Sequence, residues 1–472
     1  MPDRPHILIL MTDQQRADSM GCTGAAPLQT PNMDRLAAEG VRFANAVTSC
    51  PLCMPARASF VSGLYCHSHG MWANRGQLPP GDETFFQHLQ RAGYHTAYVG
   101  KSHFYEHLRG EHLRDHEPYM RARGIDTLHE TTGPWATTIT RSYMTDRWEK
   151  LGLYKAFRDD YARRRKNPTA SWPSPLPAEE FLDSYIGREA VSFVDGYDGA
   201  APVCLFVGFG GPHEPFDAPG QYATMYDPAD CPPAIAPEPI PDGLAPAARG
   251  YIHRRDSYLK GADAIDPAAA AATRANYYGK IRLIDEWFGR VLDAFDRRGW
   301  LDETLVVHWS DHGEMCGDHG LYHKMCFYES SVRVPLTIRW PGELPAGQVR
   351  PHLAGTVDVF DTLLSAAGCE PSARSQGMNL LDACRDESAP LREAAFSEVA
   401  LPVDGRSLRT TMVRTDRYKY AVTESAEPIL LFDLAEDPLE QRNLAADPAA
   451  ADIRAALDHR IQRWLLETQV CM

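Results

Sequence analysis

No apolar stretch in this 472-residue chain is long enough to cross a bilayer. The early run from His6 to Met11 is also too short for the core of a signal peptide, and it stops at Asp13. Nothing at Gln469-Val470-Cys471-Met472 reads as a lipidation or retention signal. Eleven cysteines without a secretory leader lead us to expect free thiols in a reducing compartment, the cytoplasm, and no membrane partner. Positive charge is in short supply. The 48 Lys and Arg face 63 Asp and Glu, a net charge of -15, which argues against a nucleic-acid partner. Internal repeats are absent, which excludes solenoids. A second C-x-x-C is absent too. Cys50 and Cys53 have that spacing, but Cys22, Cys66, Cys204, Cys231, Cys316, Cys326, Cys369, Cys384 and Cys471 are scattered, so a paired zinc site has no other half.

What the chain does have is a recurring form: a short apolar run with polar or charged residues at its carboxyl end. Ile7 to Met11 leads into Thr12-Asp13-Gln14-Gln15, and Thr96 to Val99 into Gly100-Lys101-Ser102-His103. Val203 to Phe209 leads into Gly210-Gly211-Pro212-His213, and Leu305 to Trp309 into Ser310-Asp311-His312-Gly313. Continuous apolar runs of this length suit strands buried on both faces of a parallel sheet, where ligands bind beyond the carboxyl ends. Helical segments alternate with them. Pro31 to Gly40 has a Pro start and a Gly stop, and Phe85 to Gly93 is similar. Between about Arg274 and Arg298, Tyr277, Ile281, Ile284, Phe288, Val291 and Phe295 step by three and four.

These patterns predict an α/β fold: a large, mostly parallel mixed sheet flanked by helices over residues 1–368. Residues 105–190 and 211–260 read as inserted surface excursions. A small C-terminal α+β domain over 369–472 is expected, with antiparallel strands at Val413 to Tyr420 and Pro428 to Leu434 and a closing helix from Ala451 to Leu466.

The strand-end residues form two chemical sets. Asp13 and Asp311 offer anionic oxygens, Gln14 a carbonyl oxygen and His312 a nitrogen, together enough for one divalent cation. Taken singly, an Asp after a strand is more often a turn or cap residue. Lys101, His103, His213 and Lys324 supply cations and proton-transfer groups for an anionic substrate.

The run Cys53-Met54-Pro55-Ala56-Arg57 resembles the C-x-P-x-R signature of type I sulfatases in the alkaline-phosphatase-like superfamily. Further matching stretches are Thr30 to Leu36, Gly100 to His103, Gly211 to Pro215, Ser310 to Glu314 and, in the tail, Leu431 to Leu434, so the resemblance covers nearly the whole chain. It implies that Cys53 is converted to formylglycine by a formylglycine-generating enzyme, and that one hydroxyl of the hydrated aldehyde attacks a sulfate monoester. It implies that Arg57 and Lys101 steady the hydrate, that His103 is the base, and that His213 is the leaving-group acid beside Lys324. Asn74 would contact substrate. Asp13, Gln14, residue 53, Asp311 and His312 would hold the metal, usually calcium, with manganese or magnesium as alternatives. A homo-oligomer is expected on family grounds.

The chain departs from the common sulfatase pattern at Gln14, where many have Asp, and at His312, where many have Asn. Asp-Gln with Asp-His is similar to phosphonate monoester hydrolases and phosphodiesterases of the same superfamily. A nitrogen ligand and one charge fewer suit a softer ion. A sulfatase is therefore expected, with a phosphonate monoester hydrolase or phosphodiesterase as the alternative.

Overall fold

The computed structural model describes residues 4–167, 169–237, 239–244, 265–403 and 406–469. Eight strands form the main sheet: β1 (His6–Asp13), β2 (Val41–Val47), β3 (His95–Lys101), β4 (Thr127–Thr131), β5 (Val203–Pro212), β6 (Thr304–Ser310), β7 (Leu336–Arg339) and β8 (Gln348–Gly355). Their order is β4-β3-β5-β1-β6-β7-β2-β8. Only β7 runs against its neighbours, β6 and β2, so the expected mostly parallel mixed sheet is present.

The apolar runs explain the layering. Successive side chains of a strand face opposite sides. Leu8 and Leu10 therefore join the core on one face, while Ile7, Ile9 and Met11 join the core on the other. All five are fully buried, each worth roughly 1.5–3 kcal/mol. The helices that cover these faces include α1 (Pro31–Glu39), α2 (Cys53–Ser62), α3 (Leu182–Gly196), α4 (Pro267–Arg297) and α5 (Asp358–Ala366).

Helix α4 begins earlier than its apolar periodicity indicates, because Asp266 caps it (Oδ1 accepts from the Ala268 N–H at 3.0 Å) and Pro267 opens it. Asp285, buried inside α4, in turn accepts from the Asn32 and Met33 N–H groups at 3.0 and 2.8 Å, supplying the missing partners at the start of α1. Near the site, Gly100 has φ +107, and a Cβ there would lie 2.1 Å from the Gly208 carbonyl oxygen. Only glycine lets β3 and β5 approach this closely where Lys101 emerges.

Residues 105–190 correct the expectation of a surface excursion. They supply β4 at the sheet edge, the helices Tyr143–Lys150 and Tyr154–Arg164, and α3, with Trp148 and Tyr161 buried. Their sequence shows no single period because the elements are short and change direction. Of the second expected excursion, residues 211–260, position 238 and positions 245–260 lie outside the described residues. The described remainder holds the short turns of helix Gly220–Thr224 and Pro228–Asp230.

The C-terminal sheet is antiparallel, in the order β12-β11-β10-β9, built from β9 (Ala395–Val403), β10 (Arg406–Arg414), β11 (Tyr418–Thr423) and β12 (Pro428–Asp433) and closed by α6 (Ala451–Glu467). The strand expected over Val413 to Tyr420 is in fact the end of β10, a turn and the start of β11. That turn contains neither Gly nor Pro. It is closed by the Thr415 N–H on the Tyr418 carbonyl at 2.8 Å, so turn composition did not reveal it. Residues after 368 also touch the large sheet: Arg350 of β8 donates to the Ala383 and Cys384 carbonyls at 2.7 and 2.8 Å. Among the described residues, no helix is long and apolar enough to cross a membrane.

Candidate active site

Adjacent parallel strands deliver the acidic pair. β1 and β6 are in register at Thr12 and Ser310, so Asp13 and Asp311 emerge side by side. Gln14 follows Asp13 with φ +75, turning the chain sharply away from the strand direction. Facing them is the N-terminus of α2, whose first residue is Cys53. Arg57, four residues on, lies one turn below on the same face. The loop ahead of α2 is tied to the acidic loop by Thr48, whose hydroxyl donates to the Asp311 carbonyl at 2.5 Å.

The four groups Asp13, Cys53, Asp311 and His312 converge. Their ligand atoms lie within 4.8 Å of one another, and all four residues are buried. Cys53 Sγ is 3.1 Å from His312 Nε2 and 3.9 Å from Asp13 Oδ1. Arg57 occupies the outer oxygens: Nη2 meets Asp13 Oδ2 and Nε meets Asp311 Oδ2, both at 2.9 Å. Asp13 Oδ1 is then the oxygen nearer Cys53, while Asp311 Oδ1 accepts from the Gln14 and His312 N–H groups, both at 3.0 Å. The Nδ1–H of His312 donates to the Gly313 carbonyl at 3.0 Å, which points Nε2 at residue 53. Burial and the neighbouring Asp13 raise the Asp311 carboxyl, while Asp311 and Cys53 outweigh burial and push His312 up to about 9. The pocket thus draws positive charge to the spot where a cation would sit. The donor set fits a divalent ion: two carboxylates, an imidazole and the side chain of residue 53.

Gln14 is placed differently from the sequence expectation of a plain metal ligand. Its Nε2 donates to Glu214 Oε2 at 2.9 Å and to Glu314, and its Oε1 accepts from Lys324. One lone pair of the amide oxygen is taken, and one remains. Asn74 also has a role that sequence did not suggest. Its Oδ1 accepts from the Met54 N–H at 3.0 Å, capping the first turn of α2. It reaches the cavity wall as well.

Over the cluster lies a cavity of about 370 Å³, walled by Cys53, Lys101, His103, His213, Trp135 and Lys324 among others. The expected cations are thus gathered in one place. Lys101 pairs with Asp13 Oδ2. Lys324 Nζ donates to His213 Nε2 at 2.7 Å and reaches Glu214 at 3.3 Å. Burial pushes the Cys53 thiol up, but Lys101, Lys324 and His312 outweigh it and hold the group well below the usual thiol range. The site is therefore built to stabilise an anion at position 53. Burial lowers His103 to about 4 despite its hydrogen bond with Cys53, so its imidazole is uncharged at neutral pH.

Sequence reasoning gave no role to Glu130, Glu214 or Glu314. The last two lay inside matched stretches, and a carboxylate there, among groups meant for an anion, was the available signal. Glu314 Oε1 accepts from the Cys316 and His323 N–H groups at 3.0 and 2.6 Å, holding the loop that carries Lys324. Glu130 carried no signal in the sequence. It is buried on β4, accepting from the Ser102 hydroxyl and, at 2.6 Å, from Tyr105, so it braces the segment bearing Lys101 and His103.

Burial raises the Glu130 carboxyl from 4.5 to about 7. Its acid form is therefore favoured in the fold. The stability it contributes is complete below pH 4.5 and is lost as pH rises through about 7. The loss is at most roughly 3 kcal/mol. Denaturant unfolding between those pH values is expected to show this decline, and Glu130→Gln to flatten it. An unchanged slope in the variant would assign the decline to other groups.

Comparison with known proteins accords with this geometry. Residues 5–369 match the Sulfatase family. The chain belongs to that family. Residues 317–467 also match the C-terminal region described as N-sulphoglucosamine sulphohydrolase, C-terminal. This sulfatase is 32% identical to the multifunctional alkaline phosphatase superfamily protein PehA of Trinickia caryophylli, over 98% of the chain and 95% of that protein. It is 30% identical to an arylsulfatase of Clostridium perfringens, covering 93% of the chain and 90% of that protein. Its fold superposes on the phosphonate monoester hydrolase of Silicibacter pomeroyi with a TM-score of 0.81 at 25% identity, covering 99% and 96% of the two chains. The expected sulfuric ester hydrolase is met at the level of family, and the expected superfamily fold is met in full.

Proposed function

We propose that this sulfatase hydrolyses sulfate monoesters with a formylglycine formed from Cys53 and one divalent cation, calcium by family habit. The observation that carries the reading is the convergence of residue 53 with Asp13, Asp311 and His312, under Arg57 and Lys101. Asp13, Asp311 and His312 would hold the cation, with the remaining lone pair of the Gln14 oxygen as a further ligand. A formylglycine would supply a hydrated aldehyde, one hydroxyl serving as nucleophile and the other allowing the sulfate to depart. A formylglycine-generating enzyme is the partner that this requires.

The chain's own groups account for the proton traffic. Arg57 and Lys101 stabilise negative charge on the residue-53 oxygen. His103, uncharged, accepts a proton from the second hydroxyl at that position. The departing alcohol oxygen takes its proton from the Lys324–His213 pair, in which Lys324 donates to the imidazole Nε2 at 2.7 Å. The cavity walls limit water around the ester.

A phosphonate monoester hydrolase is the second reading, favoured by the Gln14 and His312 pattern and by the structural likeness to the Silicibacter enzyme. Paired initial rates on an aryl sulfate and a phenyl phosphonate ester separate the two, using protein whose residue 53 has been checked by intact mass. The expected result is a higher kcat/KM on the sulfate, by tenfold or more. A higher value on the phosphonate would replace the sulfatase reading with the second one.

A further inference from the structure

Glu214 is a carboxylate on the wall of a cavity built for an anion. It lines the same space as Cys53, Lys101, His103, His213 and Lys324. Its residue is 7% exposed. Oε2 accepts from Gln14 Nε2 at 2.9 Å, lies 3.3 Å from Lys324 Nζ and 3.0 Å from His213 Nδ1. Its own backbone carbonyl accepts from His213 Nδ1 at 2.6 Å. One acid side chain thus touches three groups that surround the leaving-group side of the site.

Its charge decides what the site can hold. Arg57, Lys101 and Lys324 face the carboxylates Asp13, Asp311, Glu214 and Glu314. With a divalent cation bound, the imidazoles neutral and residue 53 not yet ionised, this set carries a single net positive charge, matched to a monoanion. Sulfate monoesters, phosphonate monoesters and phosphodiesters carry one negative charge. A phosphate monoester carries two once its second ionisation, near pH 6, is complete. Removing the Glu214 charge would leave the site matched to that dianion. We propose that Glu214 is the specificity-determining residue that discriminates against dianionic phosphate monoesters, an inference that rests on the sulfatase reading of this site.

The carboxylate reaches Lys324 without displacing the imidazole, so it tempers the positive charge where a transferring group's non-bridging oxygens would sit. An extra unit charge several ångströms away in a partly dry cavity changes binding by about tenfold or more.

The test compares kcat/KM for 4-nitrophenyl sulfate and 4-nitrophenyl phosphate at about pH 8, where the phosphate ester is a dianion. The proteins are the metal-loaded wild type, Glu214→Gln and Glu214→Asp, each with residue 53 verified by mass. Glu214→Gln keeps a hydrogen-bonding side chain and loses only the charge. It is expected to shift the ratio toward the phosphate ester by at least tenfold, while Glu214→Asp keeps the wild-type preference. Glu214→Ser carries the same test where the Gln variant does not fold. A ratio unchanged in the neutral variants, with both efficiencies falling together, would overturn the proposal and leave Glu214 a structural partner of Lys324. Failure of the underlying reading looks different, since the wild type itself would then turn over neither the sulfate nor a phosphonate ester.

Discussion

Cys53→Ala is expected to abolish turnover of an aryl sulfate, with a fall in kcat of at least about 10⁴ and an unchanged far-UV circular dichroism spectrum. The fold should survive because the residue makes no backbone-critical contact. Its neighbours at the start of α2 are held by Asn74 and by the helix itself. Cys53→Ser is the more telling companion. A serine oxygen can attack the sulfuryl group, but it has no second hydroxyl to expel the product. One turnover is therefore expected, followed by arrest, with a sulfated protein visible by intact mass. Full multiple-turnover activity in either variant would remove residue 53 from the chemistry. An alanine variant that loses activity only by unfolding would show itself in the spectrum.

The second large effect concerns Arg57. Its guanidinium is buried between Asp13 and Asp311, with both ion pairs at 2.9 Å. Those carboxylates and burial act on the arginine in opposite senses, and the carboxylates win. Arg57→Met keeps much of the side-chain volume and removes the charge. Two buried carboxylates are then left side by side, and breaking such a pair costs about 3–5 kcal/mol. Unfolding in the presence of a chelator is expected to show that loss. Added calcium should restore more stability to the variant than to the wild type, since a cation between Asp13 and Asp311 would replace part of the missing charge. Activity should still fall by about 10² or more, because an anion at position 53 loses a nearby positive charge. Equal stability of the two proteins in chelator, with no difference in calcium response, would mean that the carboxylates do not share the guanidinium in solution.

The two variants probe different layers of one design. In the proposed mechanism Cys53 takes part in the reaction itself, whereas Arg57 pairs with Asp13 and Asp311 and sets the charge around it. The five residues from Cys53 to Arg57 place both on one helical turn, so a short signature carries the proposed nucleophile and a positive charge together.

Much of this was legible in the sequence. The apolar runs ending in Asp13, Lys101, His213 and Asp311 announced a parallel sheet with a site at its carboxyl edge. Strands buried on both faces must be continuously apolar, and the first charged residue marks where the strand leaves the core. Residues 105–190 were opaque for the converse reason. Short helices and an edge strand leave weak periods, although Trp148 and Tyr161 are as buried as any core residue.

Local sequence determined the position of the proposed nucleophile, the arginine one turn beyond it, and the identity of the ionisable groups, because each depends on residue type and helical or strand spacing alone. The tertiary structure decided which of those groups meet. It engaged the Gln14 amide with Lys324, Glu214 and Glu314, set Asn74 as a cap on α2, and brought Glu130 beneath Ser102 and Tyr105. These contacts join positions tens to hundreds of residues apart. Their strength depends on distance and on exclusion of water, and neither exists until the sheet has formed and the loops have closed over its edge.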